Sequence, residues 1–338
     1  MLETVWFGIW GFLWAVYFVL DGFDLGLGVL QPALAKNDGE RNDIYLAIGP
    51  FWDGNEVWLV AAGGVTFAAF PALYAVLFSS FYSVLMLILF ALILRAVSIE
   101  LGGETKGERG KSLWRGALAI GSLVAAFFFG VLFANIFRGI PIDGTGVYQG
   151  TLMTFLNPYA FVGGLFFLAL FLLHGSLWLA VKTDGLLRGR AGRAAAWLWP
   201  AVLLSAVVFL VLSALQTDLF DRYLDRPVLW VIPLIAVGGM VMIRFWIGKR
   251  EWGRAWGASC MFIIGVVAVA MVGLYPSMLP SSMDRAFSLT AHTAAASPMT
   301  LKIMLGMVLV FVPVIALYQG WVYRLFSGKV DRNLYAKD

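Results

Sequence analysis

The chain has 338 residues, 61% hydrophobic and only 13% charged, with a mean hydropathy of +0.85; this excludes a soluble protein of such size and implies a polytopic membrane protein. The net charge of +4 lies in short loops, with no basic run set among exposed aromatics, so no nucleic-acid partner is expected. A single cysteine, Cys260, rules out an internal disulfide framework and a Cys-based metal or iron–sulfur site.

Taken in chain order, segments long enough to cross a hydrocarbon core of about 30 Å fall at residues 6–30, 50–70, 73–98, 116–138, 158–182, 198–216, 229–248, 256–275 and 300–324. The expected fold is therefore an all-α polytopic membrane protein of nine transmembrane helices, a single integral membrane domain over residues 1–338 with lipid around it. The first segment is preceded by Glu3 and no base, and is expected to be a true span rather than a cleaved leader. Pro71 and Ala72 are expected to form the tight turn between the second and third spans. With these spans, nineteen of the 24 Lys and Arg residues fall in one set of alternate connections and five in the other. That asymmetry predicts an external N-terminus and a cytoplasmic C-terminus. The outer connections 139–157 and 276–299 are expected to cap the membrane surface.

Two of these spans carry acids. The first contains DGFDLGLG at 21–28, with Asp21 and Asp24 three apart on one helical face among glycines that permit close backbone approach. The second opens on WDGNEVW at 52–58, placing Asp53, Asn55 and Glu56 between Trp52 and Trp58, next to Gly54. A carboxylate facing lipid at mid-membrane costs about 2.5–3.5 kcal/mol. These acids therefore require a protein interior, a water-filled cavity or a protein partner. At 1.5 Å per residue, Asp24 lies about 9 Å short of the inner end of its span. Asp53 and Glu56 enter at similar depth, near a helix N-terminus that favours negative charge. The third span brings Arg95 to the same level. Asp21, Asp24, Asp53, Glu56 and Arg95 are thus expected to form one polar cluster near the cytoplasmic face. It reads in two ways: as a capping and packing cluster neutralised by Arg95, or as a proton route of intramembrane carboxylates, with Arg95 as charge partner.

Only two histidines occur, His174 and His292. They are expected on opposite sides of the membrane, His174 as a packing residue and His292 at the surface, so no haem is expected to be held by this chain alone. The twelve methionines sit at helical packing positions. No metal site and no catalytic nucleophile constellation is found, nor a P-loop, GxGxxG or HExxH motif.

The motifs DGFDLGLG at 21–28, WDGNEVWL at 52–59 with the AAGG and FAAFP that follow, LLHGSLWLAVKT at 172–183 and YPSMLPSS at 275–282 give a chain that resembles subunit II of the cytochrome bd-type quinol oxidases over nearly its whole length. The two acidic motifs are the specific ones. The resemblance implies a non-haem-binding subunit of a bacterial terminal oxidase that oxidises quinol and reduces oxygen to water. It implies two four-helix bundles plus one extra helix, and haems b and d in the haem-binding partner, subunit I. It implies residence in the bacterial cell (inner) membrane and admits small single-span accessory subunits. A proton path from the cytoplasm along the subunit interface would map onto Asp53 and Asp24, with Glu56 and Asp21 beside them. Two other classes stay open on the residues alone: a proton-coupled secondary transporter or ion channel, against which stands the lack of paired interrupted helices, and a purely structural assembly subunit.

Overall fold

A computed structural model of the chain describes residues 1–102, 105 and 107–330. Of the bases counted above, Lys106, Arg332 and Lys337 lie outside the described residues. Thirteen helices follow in order: α1 (Leu2–Leu34), α2 (Asp38–Ile48), α3 (Trp52–Ala69), α4 (Pro71–Ser80), α5 (Tyr82–Gly102), α6 (Glu108–Arg138), α7 (Leu152–Phe155), α8 (Pro158–Lys182), α9 (Gly185–Gln216), α10 (Asp221–Asp225), α11 (Val231–Gly248), α12 (Trp252–Leu274) and α13 (Pro298–Leu325). Two short strands, β1 (Ser277–Leu279) and β2 (Leu289–Thr290), pair antiparallel. Among the described residues, eight helices are long and apolar enough to cross a membrane. The helix at the second expected span, α3, has 18 residues, or about 27 Å, but its polar opening turns keep it out of that set.

Several expected boundaries move, and for one reason. Hydropathy marks where a helix leaves lipid, not where its backbone stops. The expected 6–30 span runs over all 33 residues of α1. The basic stretch Arg188, Arg190 and Arg193, expected in a connection before residue 198, forms the first turns of α9, and α6 likewise starts at Glu108 rather than 116. The expected span 73–98 is not one helix: it breaks at Phe81 (φ −89°, ψ 15°), which separates α4 from α5. Phe70 (φ −132°, ψ 63°) makes the turn between α3 and α4, and Pro71 then opens α4 as its first residue, where its missing N–H costs nothing.

At the centre, α1 packs against α3, α6, α8 and α12. Around it α5 lies on α6, α8 on both α6 and α9, and α11 on α12. The glycines of the first motif serve the α1–α8 crossing. A methyl group at Gly26 would collide with the carbonyl oxygen of Phe171, and one at Gly175 would come 2.8 Å from the Leu27 nitrogen, so the two backbones meet with no side chain between them. The helix α13 stands at the margin, with only Leu301 and Gln319 buried.

The two ends of the molecule differ. At one, the connections around 139–157 and 276–297 form a layer: Ile140 N–H donates to Pro280 O (3.1 Å), Ser282 N–H to Ile140 O (3.0 Å), and the Ser281 hydroxyl to Ile142 O (2.7 Å). The N-terminus joins this end through Thr4 and the Tyr275 hydroxyl, 2.9 Å apart. At the other end, Arg190 holds both Leu34 O (2.8 Å) and Glu40, Lys329 pairs with Asp184 (2.5 Å), and Val330 N–H donates to Lys182 O (2.9 Å).

Candidate functional site

Three helices bring the acidic motifs together. Asp21 and Asp24, one turn apart on α1, are both fully buried. From α5, Arg95, also fully buried, clasps Asp21 through both terminal nitrogens: Nη1 donates to Oδ2 at 2.8 Å and Nη2 to Oδ1. This paired fork is the geometry in which a guanidinium best compensates a carboxylate. Glu56 of α3, its side chain 25% exposed, sets Oε1 3.5 Å from Arg95 Nη1. Asp21 is thereby fixed, with its charge matched.

Asp24 is held differently. Its Oδ2 accepts from the Asn55 amide (2.7 Å), a neutral donor, while Oδ1 has no hydrogen-bond partner in the protein. Asn55 is fully buried and uses its whole bonding capacity. Its nitrogen donates to Asp24 and to Leu20 O (3.0 Å), and its oxygen accepts from Gln319 Nε2 (3.0 Å) and the Tyr323 hydroxyl (3.0 Å). Gln319 also receives the Trp58 indole N–H (2.5 Å) and donates to Gly54 O (3.3 Å). Asn55, Gly54 and Trp58 of the second motif thus tie α3 to α1 on one side and to α13 on the other.

Asp53 does not join this cluster. Two residues before Asn55, it points to the opposite side of α3, is exposed, and accepts only its neighbour's amide, Gly54 N–H, at 2.6 Å. Trp52 is half-buried beside it. The expected five-residue cluster therefore has four buried or half-buried members and one at the surface. A step of 200° between positions 53 and 55 of a helix dictates the split.

Gln319 and Tyr323 were missed in the sequence because they lie some 265 residues from the motif they serve. The available signal was Gln319 itself, a lone amide in an apolar run.

Of the two histidines, the buried one has no ring nitrogen free to ligate. His174 is fully buried, its Nε2 2.9 Å from Val19 O and its Nδ1 2.6 Å from the Ser259 hydroxyl, so both ring nitrogens are engaged. His292 is exposed, 3.5 Å from the Tyr275 hydroxyl. Among the described residues no three His, Cys, Asp or Glu side chains form a group fit for a metal ion.

The family model described as "Cytochrome bd terminal oxidase subunit II" matches residues 2–326. The chain is 33% identical to the cytochrome bd ubiquinol oxidase subunit 2 of Bacillus subtilis, over 98% of each chain. It is 30% identical to the cytochrome bd-I ubiquinol oxidase subunit 2 of Escherichia coli K12, over 98% of this chain and 96% of the relative. Among solved structures, the bd oxidase from Geobacillus thermodenitrificans has a chain of similar fold, with a TM-score of 0.79 at 17% identity, covering 96% of this chain and 98% of that one.

Proposed function

The chain belongs to the cytochrome bd terminal oxidase subunit II family and is a multi-pass membrane subunit of a respiratory quinol oxidase, and from that premise we propose that it carries protons from the cytoplasm towards the oxygen-reducing centre of its partner. Reduction of oxygen to water takes up one proton per electron. Inside a membrane, protons arrive only along groups that exchange them.

The observation that carries the reading is a gradient of burial along two adjacent helices: Asp53 exposed, Glu56 one turn on and a quarter exposed, Asp24 fully buried. Asp53 collects protons at the surface, Glu56 carries them inward past Arg95, and Asp24 receives them. Asp21, clamped by Arg95, takes no proton in this scheme and keeps the guanidinium in place. Asp24, held by an amide and with Oδ1 open, is the acid free to exchange. Asn55 and Gln319 orient it.

The haems, b and d, are assigned to subunit I, where they supply the electron transfer to oxygen; the engaged nitrogens of His174 support that division. The quinol site falls to the same partner. We further propose nine crossings, with the N-terminus outside and the C-terminus in the cytoplasm of a bacterial inner membrane. The N-terminus and Val330 lie at opposite ends of the molecule, and only an odd number of crossings does that; α3 is the ninth. The grouping of α1, α3, α5 and α6, of α8, α9, α11 and α12, and the marginal α13 support two four-helix bundles plus one helix.

The test is oxygen consumption per haem in the purified complex. Asp53→Asn and Asp24→Asn each keep shape and remove the titrating site. Turnover should fall severalfold in both while the haem spectrum is retained, and normal turnover in both rejects the proton role.

A further inference from the structure

Four side chains along the seam between α1, α5 and α6 bury polar atoms: Asp24 Oδ1, Ser122 Oγ and Arg95 Nε have no hydrogen-bond partner in the protein, and the Gln31 amide meets only the Tyr45 hydroxyl. None of these residues is more than 1% exposed. Their order along the seam is regular. Asp24, Gly28 and Gln31 share one face of α1 over two turns, about 10 Å. The Ser122 hydroxyl sits directly over Gly28, midway between them, and Gly121 beside it packs against the backbone of Arg95. Beyond Gln31 comes the half-buried Tyr45 of α2, at the end of the molecule where Arg190 and the Asp184–Lys329 pair lie.

A single orphaned atom is a local defect. Several in file, on residues that could each have been apolar, mark a polar seam. Buried polar atoms are met either by protein or by ordered water, and an internal water makes two to four bonds of its own. We infer that a file of internal waters fills this seam from Gln31 past Ser122 to Asp24 Oδ1 and Arg95 Nε, and gives Asp24 a second proton supply, inside the subunit and separate from the Asp53 face. The inference rests on the proposed role of Asp24 as a proton carrier. A proton enters beside Tyr45, each water passes one on as it receives another, and Asp24 Oδ1 gains and later releases it; no electron moves. Gln31 and Ser122 position the waters and do not titrate.

The experiment uses the assembled, haem-loaded complex. Gln31→Leu keeps the volume and removes both amide atoms; turnover per haem should fall at least fivefold, with the haem spectrum and thermal midpoint retained, and Gln31→Asn should recover most of the loss. Ser122→Ala, which deletes one oxygen and serves if Gln31→Leu does not assemble, should slow turnover about threefold. A larger solvent deuterium isotope effect in either variant, relative to the parent, marks proton delivery as the slowed step. Parental turnover with a raised midpoint in Gln31→Leu would mean that the amide is a packing defect, and overturns the water file. If Asp24→Asn is slow while both seam variants run at the parental rate, the file alone falls. If Asp24→Asn is fully active, the carrier role falls and the file with it.

Discussion

The same helix, α1, builds two interiors of opposite kind. Towards its N-terminus, Trp14 and Phe18 pack with Phe129 and Phe133 of α6, Trp14 and Phe133 meeting edge to face with centroids 4.9 Å apart, and Trp6 and Trp10 are buried in the same apolar cluster. The polar handles there are few: the Trp6 indole N–H donates to Leu301 O (3.1 Å) and that of Trp10 to the Thr66 hydroxyl (2.9 Å), while the Trp14 indole N–H has no partner. One turn on, Asp21 and Asp24 replace the rings, held chiefly by Arg95 and by Asn55. The aromatic end is stabilised by many small, interchangeable contacts. At the polar end, removing one group strands its partner, buried and without a countercharge or donor. Stability is spread over the first region; in the second it is concentrated in single pairs, so function and fragility coincide there.

The sharpest way to break this contrast is Arg95→Met. It leaves the Asp21 carboxylate buried without its countercharge, a loss of about 3–5 kcal/mol, and the complex should fail to assemble or lose its haem on mild heating. The double variant Arg95→Met/Asp21→Leu removes both charges and should recover most of the thermal midpoint. A stable single variant would show that the pair is not the keystone of the polar end. A smaller effect is expected at the edge of the same region. Gln319→Leu strips bonds from Asn55, Trp58 and Gly54 and should cost about 1–3 kcal/mol, read as a lower midpoint and faster proteolysis at the α13 end. At the aromatic end Trp10→Phe gives up one hydrogen bond, about 0.5–1.5 kcal/mol, and should leave turnover per haem at the parental value. A turnover loss there comparable to that of Asp24→Asn would erase the distinction between the regions.

The smallest effect lies outside both. Asp143, in the connection after α6, accepts from the Thr145 hydroxyl, the Val147 and Thr145 amides and Gln149. These bonds, that of the Thr145 hydroxyl first, hold its carboxyl below the usual 3.8, at about 2. Because the folded value is the lower one, the bonds favour the ordered loop above about pH 4 and that contribution is lost as pH falls towards 2. Pepsin cleavage of residues 139–157 should therefore rise over that interval, and Asp143→Ala should show the raised cleavage already at pH 4.

Much of this was legible in the residues. Uninterrupted apolar length forces helices, because no other structure satisfies its backbone in lipid. The price of a buried carboxylate singled out Asp21, Asp24, Asp53 and Glu56, of which all but Asp53 are buried or half-buried, and the scarcity of bases at their depth pointed to Arg95. The chain also shows from its own order that Asp53 and Asn55 lie on different sides of one helix. What it does not contain is how each helix is rotated against its neighbours, since that is settled by side chains interlocking across elements distant in sequence. Only the packed structure turned Asp53 to the surface and Asn55 inward, gave Arg95 to Asp21 rather than to Asp53, and brought Gln319 and Tyr323 from α13 onto a motif near the start of the chain. The break at Phe81 and the helical course of residues 185–197 belong to the same class. Hydropathy records solvent preference residue by residue, whereas backbone continuity and pairing depend on which surfaces meet.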